Sequence, residues 1–396
     1  MKRIQTDILI SGGGIAGLAA ASAFGSAGFS VLCVDPAPPV TDEAAQGADL
    51  RTTAFLQPAQ RLLEAAGLWA RLAPHASELR TMRIVEAGGK NPHVTDFCSG
   101  DISDRPFGWN LPNWLLRREM LARIGDLETV IFKPGTATGR VTTRTGTAIV
   151  ALSDGTQVAT GLLIAADGRN SGIRGQAGIG VTTWRYGQKA LAFSVTHPVA
   201  HRNVSTEIHL AGGPFTLVPM PDLMGQPRSA VVWMDRGPGI AKLMAMDEAD
   251  FEAEMAERSA HLFGPLALVG RRTVWPIISQ LADRLTAQRT ALIAEAAHVV
   301  PPIGAQGLNM SLADIRALLD LASADPSDIG SETMLSAYQR ARWRDVEMRV
   351  RGIDLLNRAS MAGGPIWREL RRAGLESLHA VAPLRRTLMR TGLGAT

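Results

Sequence analysis

The residues best placed to do chemistry lie late in the chain, where residues 294–309 read AEAAHVVPPIGAQGLN. An acid (Glu295), a histidine (His298) and two prolines lead into Gly304, Gln306, Gly307, Leu308 and Asn309. No Ser-His-Asp order and no His/Cys/Asp/Glu set with ligand spacing accompanies them, so the stretch supports neither a hydrolase nor a metal site. It supports a surface for a flat ligand. Pro301 and Pro302 fix the course of the loop. Small residues at 304, 305 and 307 let a ring lie against the backbone, and a helix starting near Gly307 aims its positive end at that ring. His298 reads as a residue that holds the loop by hydrogen bonds, in preference to a base.

The second constellation is at the start. Residues 7–17 read DILISGGGIAG, with a buried strand run (Ile8, Leu9, Ile10) followed by Gly12, Gly14 and Gly17 in the spacing G-x-G-x-x-G. Ile15 and Ala16 open a small-residue helix, and a second strand, SVLCVD, ends at Asp35. This is a dinucleotide-binding βαβ unit. The first glycine makes the tight turn, the second lets backbone approach a pyrophosphate, and the third lets helix pack on strand. The helix amino terminus receives the negative charge and the acid receives a ribose. Because strand, helix and acid all follow in order, the fingerprint is specific. It does not separate FAD from NAD. A third segment, GLLIAADGRNSGIR (161–174), reads as a strand, a turn at Asp167-Gly168 and a helix start that Ser171 would cap.

Together these segments resemble the FAD-dependent aromatic hydroxylases of the para-hydroxybenzoate hydroxylase superfamily, and within it the ubiquinone-biosynthesis hydroxylases. The family's glycine fingerprint falls on Gly12, Gly14 and Gly17. Its D-G motif falls on Asp167-Gly168. Its G-D-A-A-H…P…G-Q-G-x-N motif falls on Glu295 to His298, Pro302, Gln306, Gly307 and Asn309. DLRTTAFLQPAQRLLEAAGLW and FGWNLPNWLLRREML resemble further family blocks, placing Arg51 and Asn113 by the flavin, and GGPFTLVPMPD and AYQRARWRDVEMRV match later ones. The resemblance covers nearly the whole chain. It implies FAD as cofactor, NADPH or NADH as a transient reductant, dioxygen as co-substrate, and an aromatic small-molecule or lipid substrate. It makes Glu295 a ligand of the flavin's ribityl hydroxyls. Two departures stand out: Ala294-Glu295 replaces the family's Gly-Asp, and Ala305 replaces a glycine. No second fingerprint exists for the nicotinamide cofactor, as in the family, and no base for the phenol is apparent, so no catalytic side chain is assigned.

The elements that must position these residues follow. The fold class is α/β: a Rossmann-like FAD-binding domain (residues 1–181 and 286–345), a sheet-rich substrate domain (182–285) and a helical carboxyl-terminal region (346–396). ALAFSVTH, FTLVPMP and SAVVWMD alternate as strands. Phe215, Val218, Pro219 and Met220 are candidates to line a substrate cavity, and DEADFEAEMAERSAHLF is an amphipathic helix. The two cysteines, Cys33 and Cys98, form no metal or disulfide pattern, which suits a reducing cytosol.

Charge is unevenly placed. The net charge is +4, yet residues 331–396 hold 12 Arg against 6 Asp plus Glu. In that tail Ile366, Trp367, Leu370 and Leu378 share a helical face flanked by Arg368, Arg371 and Arg372. A basic amphipathic helix suits contact with an anionic membrane. No nucleic-acid motif accompanies the arginines, so nucleic acid is not an expected partner. The functions to weigh are therefore three. The first is a cytoplasmic hydroxylase, peripheral at the inner face of a membrane, acting on a polyprenylated phenol of ubiquinone biosynthesis. The second is a hydroxylase of a small soluble aromatic. The third is a flavin-binding, non-catalytic partner in a biosynthetic complex.

Overall fold

The computed structural model describes residues 3–88, 92–210 and 213–361, with residues 383, 386, 387 and 389. The tail helix anticipated around 366–378 lies outside the described residues. The fingerprint strand Arg3–Ser11 is the centre of a mainly parallel sheet. It pairs on one side with Val31–Asp35 and on the other with Gln157–Ala165, so that Ile8 sits beside both Val31 and Leu162. Thr290–Leu292 and Val130–Pro134 extend the sheet in parallel at its two sides. This nucleotide sheet therefore collects the three sequence motifs at the carboxyl ends of adjacent strands, which is where α/β sheets bind ligands. The apolar runs are unbroken because both faces are covered: Ile8, Leu9, Ile10, Leu162, Leu163 and Ile164 are fully buried.

A second, mixed sheet of eight strands stands over the cofactor side. Its long members are Val181–Thr196, Gln226–Arg236 and Ala267–Ala282, paired antiparallel. One face buries Leu191, Phe193, Val195, Phe215, Leu217, Val231 and Trp233 against the helices Gly237–Ala245 and Glu248–Arg258. The second helix is capped by Asp247, whose carboxylate accepts the Asp250 N–H at 2.9 Å.

The domain boundaries differ from those expected in two places. Thr81–Glu86 and His93–Cys98 belong to this second sheet, where Thr81–Glu86 pairs in parallel with Val204–His209. Lying between cofactor motifs, they read as nucleotide-domain sequence, but the strand that joins them to this sheet, Val204–His209, comes more than a hundred residues later. The helix Glu332–Met361 runs unbroken through the expected boundary at 345/346. It has no glycine or proline there to stop it.

Candidate functional site

The first half of the site is a cleft of ≈ 390 Å³ lined by Gly12, Gly14, Asp35, Ala166, Asp167, Gly168 and their neighbours. Gly12 has φ +113°, and a Cβ there would meet Ala166 O at 2.3 Å. A Cβ on Gly17 would meet Gly12 O at 1.9 Å. Both must be glycine. Gly14 is different: nothing lies within 4 Å of a Cβ built on it, because it faces the open cleft. It leads directly into the helix Ile15–Ser26, whose first turn carries no acid and no side-chain cap, leaving its amides for an anion. Asp35 accepts the Gly13 N–H at 2.6 Å and the Ala37 N–H at 2.8 Å, fixing its carboxylate at the cleft wall. Asp167 accepts the Ser171 hydroxyl at 2.5 Å and the Ile173 N–H at 3.1 Å, while Ser171 accepts the Arg174 N–H as the anticipated cap. A pyrophosphate and ribose fit this arrangement.

The second half surrounds the late loop. The short helix Ala294–Ala297 exposes Glu295 between buried neighbours, and the helix Gln306–Ala324 starts without an acid in its first turn. Gly304 and Gly307 are exposed, giving a flat backbone platform. The two departures from the family motif prove to have one geometry: Ala294 has φ +54° and Ala305 φ +56°. Each is in the left-handed region, where an L-residue costs roughly 1–2 kcal/mol and glycine almost nothing. Asn309 does not reach outward. Its amide accepts the Leu56 N–H at 2.9 Å and donates to Ala54 O at 2.7 Å and Ala305 O at 2.6 Å, locking the platform to the strand Thr52–Leu56.

That strand follows Arg51, which stands opposite the platform. Asp49 grips its guanidinium twice, at 2.8 and 2.7 Å, and the guanidinium lies 3.7 Å from the centroid of the Trp275 ring on the second sheet. Burial works to raise the Asp49 carboxyl, but hydrogen bonds and charge from Arg51, with Asn113 and Arg117, outweigh it and hold it below the ordinary carboxylate range. For Arg51, burial works to lower its pKa, and the carboxylates of Asp49 and Glu295 raise it. Arg51 and Glu295, far apart in sequence, therefore share one field. Asn113 is buried, spending its amide on Thr53 (2.8 Å) and Asp49 (3.0 Å), so it braces Arg51 from behind.

His298 is the loop-holding residue that its setting implied. It is buried, with Nε2 2.7 Å from Asp314, which is itself fully buried and accepts from Arg342 at 2.8 Å. Burial opposes the Asp314 charge, while His298 and Arg342 more than compensate and lower its pKa.

Of the four cavity candidates, two are corrected. Phe215 is fully buried on the far face, edge-on to Trp233 at 5.2 Å, and Pro219 shares that face by the two-residue period of the strand. Val218 and Met220 point the other way. Val218 joins Ala54, Leu56, Leu79, Met82 and Phe107 in an apolar cluster beside the platform.

Sequence reading missed Asp49, Trp275, Asp314 and Arg342. A buried acid in an amphipathic helix looks like one more polar-face residue, although Asp314 follows Leu312 and Ala313 and precedes Ile315 on a largely apolar stretch.

Comparison with known proteins shows the family and its cofactor. The model of a family described as an FAD binding domain matches residues 5–351. Ubiquinone hydroxylase UbiL of Rhodospirillum rubrum is 33% identical over 392 residues, covering 98% of this chain and 89% of its own length. The chain belongs to the FAD-dependent ubiquinone-biosynthesis hydroxylases. The 3-demethoxyubiquinol 3-hydroxylase of Escherichia coli is 27% identical over the full length of both chains. A solved structure, PqsL of P. aeruginosa with 2-aminobenzoylacetate, has the same fold: TM-score 0.79 at 24% identity over 94% of this chain and all of that one.

The hydroxylase thus has an FAD site whose residues fit the group. The cleft at Gly14 would take the pyrophosphate, Asp35 the ribose, Glu295 the ribityl chain and the 304–307 platform the ring. When bound, FAD takes reducing equivalents from NAD(P)H and activates dioxygen, one atom of which enters the aromatic ring. The chain's own contributions are positional and electrostatic. The amides at the start of Gln306–Ala324 and the braced Arg51 would favour negative charge on a ring held there. With a ring on the platform, Trp275 and the apolar cluster around Val218 would limit water beside it. Among the described residues no helix is long and apolar enough to cross a membrane.

Proposed function

We propose that this hydroxylase acts on a phenol carrying a long apolar substituent, a polyprenylated intermediate of ubiquinone biosynthesis, with NADPH or NADH as reductant. The observation that carries this is the wall beside the platform. Its half-buried members Ala54, Met82 and Val218 present apolar surface, backed by the buried Leu56, Leu79 and Phe107. Such a wall gains from burying hydrocarbon, about 25 cal/mol per Å², and offers nothing to a carboxylate. A larger cleft of ≈ 860 Å³, lined by Leu50, Trp114, Leu223 and Val269 among others, lies between the segment before Arg51 and the second sheet and gives a chain room to leave.

Arg118 and Arg271 also line that larger cleft, where Arg228 is paired with Glu43, and they support a second reading, a small soluble aromatic acid. Anaerobic reduction separates the two. NADPH should bleach the bound flavin on the order of tenfold faster, about 1.4 kcal/mol in barrier, with a prenylated phenol present. Acceleration by an aromatic acid and not by the prenylated phenol would replace the first reading with the second.

Membrane contact belongs to the same proposal. On Glu332–Met361, Met348, Leu355 and Leu356 are exposed at 59%, 69% and 57%, and Arg340, Arg344 and Arg351 are exposed on the same helix. Flotation of the full chain with vesicles rich in anionic lipid tests it. Met348→Glu with Leu355→Glu should leave the protein at the bottom of the gradient, as should removal of residues 365–396 if the tail contributes. Equal flotation of all three would refute the contact. A biosynthetic complex is a further partner of the same proposal, checked by the size of the native assembly.

A further inference from the structure

The cofactor loop contains two left-handed alanines, and both are tied to one chain of charges. Before the loop, the Ala294 N–H donates to Asp314 Oδ2 at 3.3 Å and His298 meets the same oxygen at 2.7 Å. Asp314 Oδ1 accepts from Arg342 Nε at 2.8 Å, and Arg342 donates to Asp345 at 2.8 Å. Asp345 accepts from Arg349 Nε at 2.7 Å. Arg349 Nη1 then donates to Gln306 Oε1 at 2.6 Å, on the residue that follows Ala305. The relay leaves the loop at its first flank, passes through two helices and returns at its second.

The last link has directional content. A guanidinium only donates, so it meets the oxygen of the Gln306 amide and leaves Nε2 turned toward the backbone. Nε2 donates to Gly304 O at 2.9 Å. Gly304 (φ +62°) and Ala305 (φ +56°) are successive left-handed residues, and Ala305 supplies no side-chain cap to the helix it begins. We infer that Arg349 is a positioning residue for FAD: through Gln306 it keeps Gly304 and Ala305 left-handed, the conformation from which the flavin platform is built. A glycine at 305 would hold that conformation unaided. Arg349 supplies from a neighbouring helix what the alanine takes away. The inference rests on FAD as cofactor and is independent of which ring the hydroxylase attacks.

The test is FAD affinity of the apoprotein, read by quenching of flavin fluorescence on titration, which needs no turnover. Arg349→Gln should weaken FAD about tenfold, or about 1.4 kcal/mol. Gln306→Leu cuts the same link from the other end while leaving Arg349 on Asp345, and should weaken FAD by a similar factor. It also covers the case in which Arg349→Gln does not fold. Ala305→Gly should restore most of the affinity to either variant, because glycine reaches the left-handed region without help. Wild-type affinity in Gln306→Leu would overturn the inference. So would a loss that Ala305→Gly fails to repair, since Arg349 would then act through general stability. The inference is separable from the substrate proposal, because a preference for a soluble acid over the prenylated phenol leaves these affinities as stated.

Discussion

At the fingerprint, glycine stands wherever the backbone crowds itself, with Cβ positions on Gly12 and Gly17 lying 2.3 and 1.9 Å from carbonyl oxygens. At the late loop, alanine stands at two left-handed positions, Ala294 and Ala305, and charged side chains hold them there. Both regions present bare backbone and a helix amino terminus, and both fit parts of one FAD. They differ in what forbids a side chain. At Gly12 and Gly17 the obstacle is a clash with main chain that no bracing relieves. At 294 and 305 it is a torsional cost that a good hydrogen-bond network offsets. A motif residue is thus replaceable when its reason is conformational and irreplaceable when its reason is contact.

The strongest way to break that comparison is to remove the brace. Asp314→Asn leaves Arg342 and His298 without their buried anion and should cost about 3–5 kcal/mol, read as a large fall in the thermal midpoint. The pH dependence has a definite sign. The folded pKa of Asp314 lies below its unfolded value, so the stability it contributes is complete above the unfolded pKa, near the ordinary carboxylate range, and is lost as pH falls through the lower, folded value. The variant should show a shallower loss of stability with acid over that window, and an unchanged acid limb would remove Asp314 as the anchor.

Next in size is Gly17→Ala, which forces a methyl into Gly12 O and should destabilise the fold by about 1–3 kcal/mol, seen in denaturant midpoints. Its partner sharpens the contrast. Gly14→Ala should leave the unfolding midpoint within about 0.5 kcal/mol, because nothing lies near its Cβ, yet weaken FAD, because the methyl enters the cleft. If both alanines behaved alike, the contact argument would be wrong.

The smallest effects are at the tolerant end. Ala305→Gly and Ala294→Gly should each raise stability by up to about 1 kcal/mol, the left-handed penalty of alanine less the entropy that glycine loses. Ala294→Gly with Glu295→Asp should bind FAD as tightly as the wild type or tighter. A marked loss of FAD would show that Glu295 does not serve the ribityl chain.

Much of this site is legible in the sequence because its residues are rare types at constrained spacing. Gly12, Gly14, Asp35, Asp167 and Glu295 follow or end strands of one sheet, with Gly17 on the helix that follows the first, and parallel pairing carries local motifs to a common edge. What is not legible depends on partners distant in sequence. Nothing near Asp49 announces Trp275, and Asp314 reads as an ordinary helix acid until Arg342 and His298 surround it. Phe215 is misplaced by sequence for a simpler reason: the strand's two-residue period was available, but which face met the cofactor was not. The alanines at 294 and 305 were visible as departures, while their shared left-handed torsion was not.

The amide of Asn309 joins residues 54 and 56 to the start of a helix more than 250 residues later. That one contact dates the site. At roughly 5–20 residues per second of synthesis, the fingerprint emerges on the order of tens of seconds before the platform that must close against it. Until then the apolar face of the nucleotide sheet lacks its final parallel strand, Thr290–Leu292. FAD therefore finds both halves of its site only once Asn309 has met residues 54 and 56. Growth up to that point is carried by the chain's own pairing, and the supply of FAD matters only afterwards.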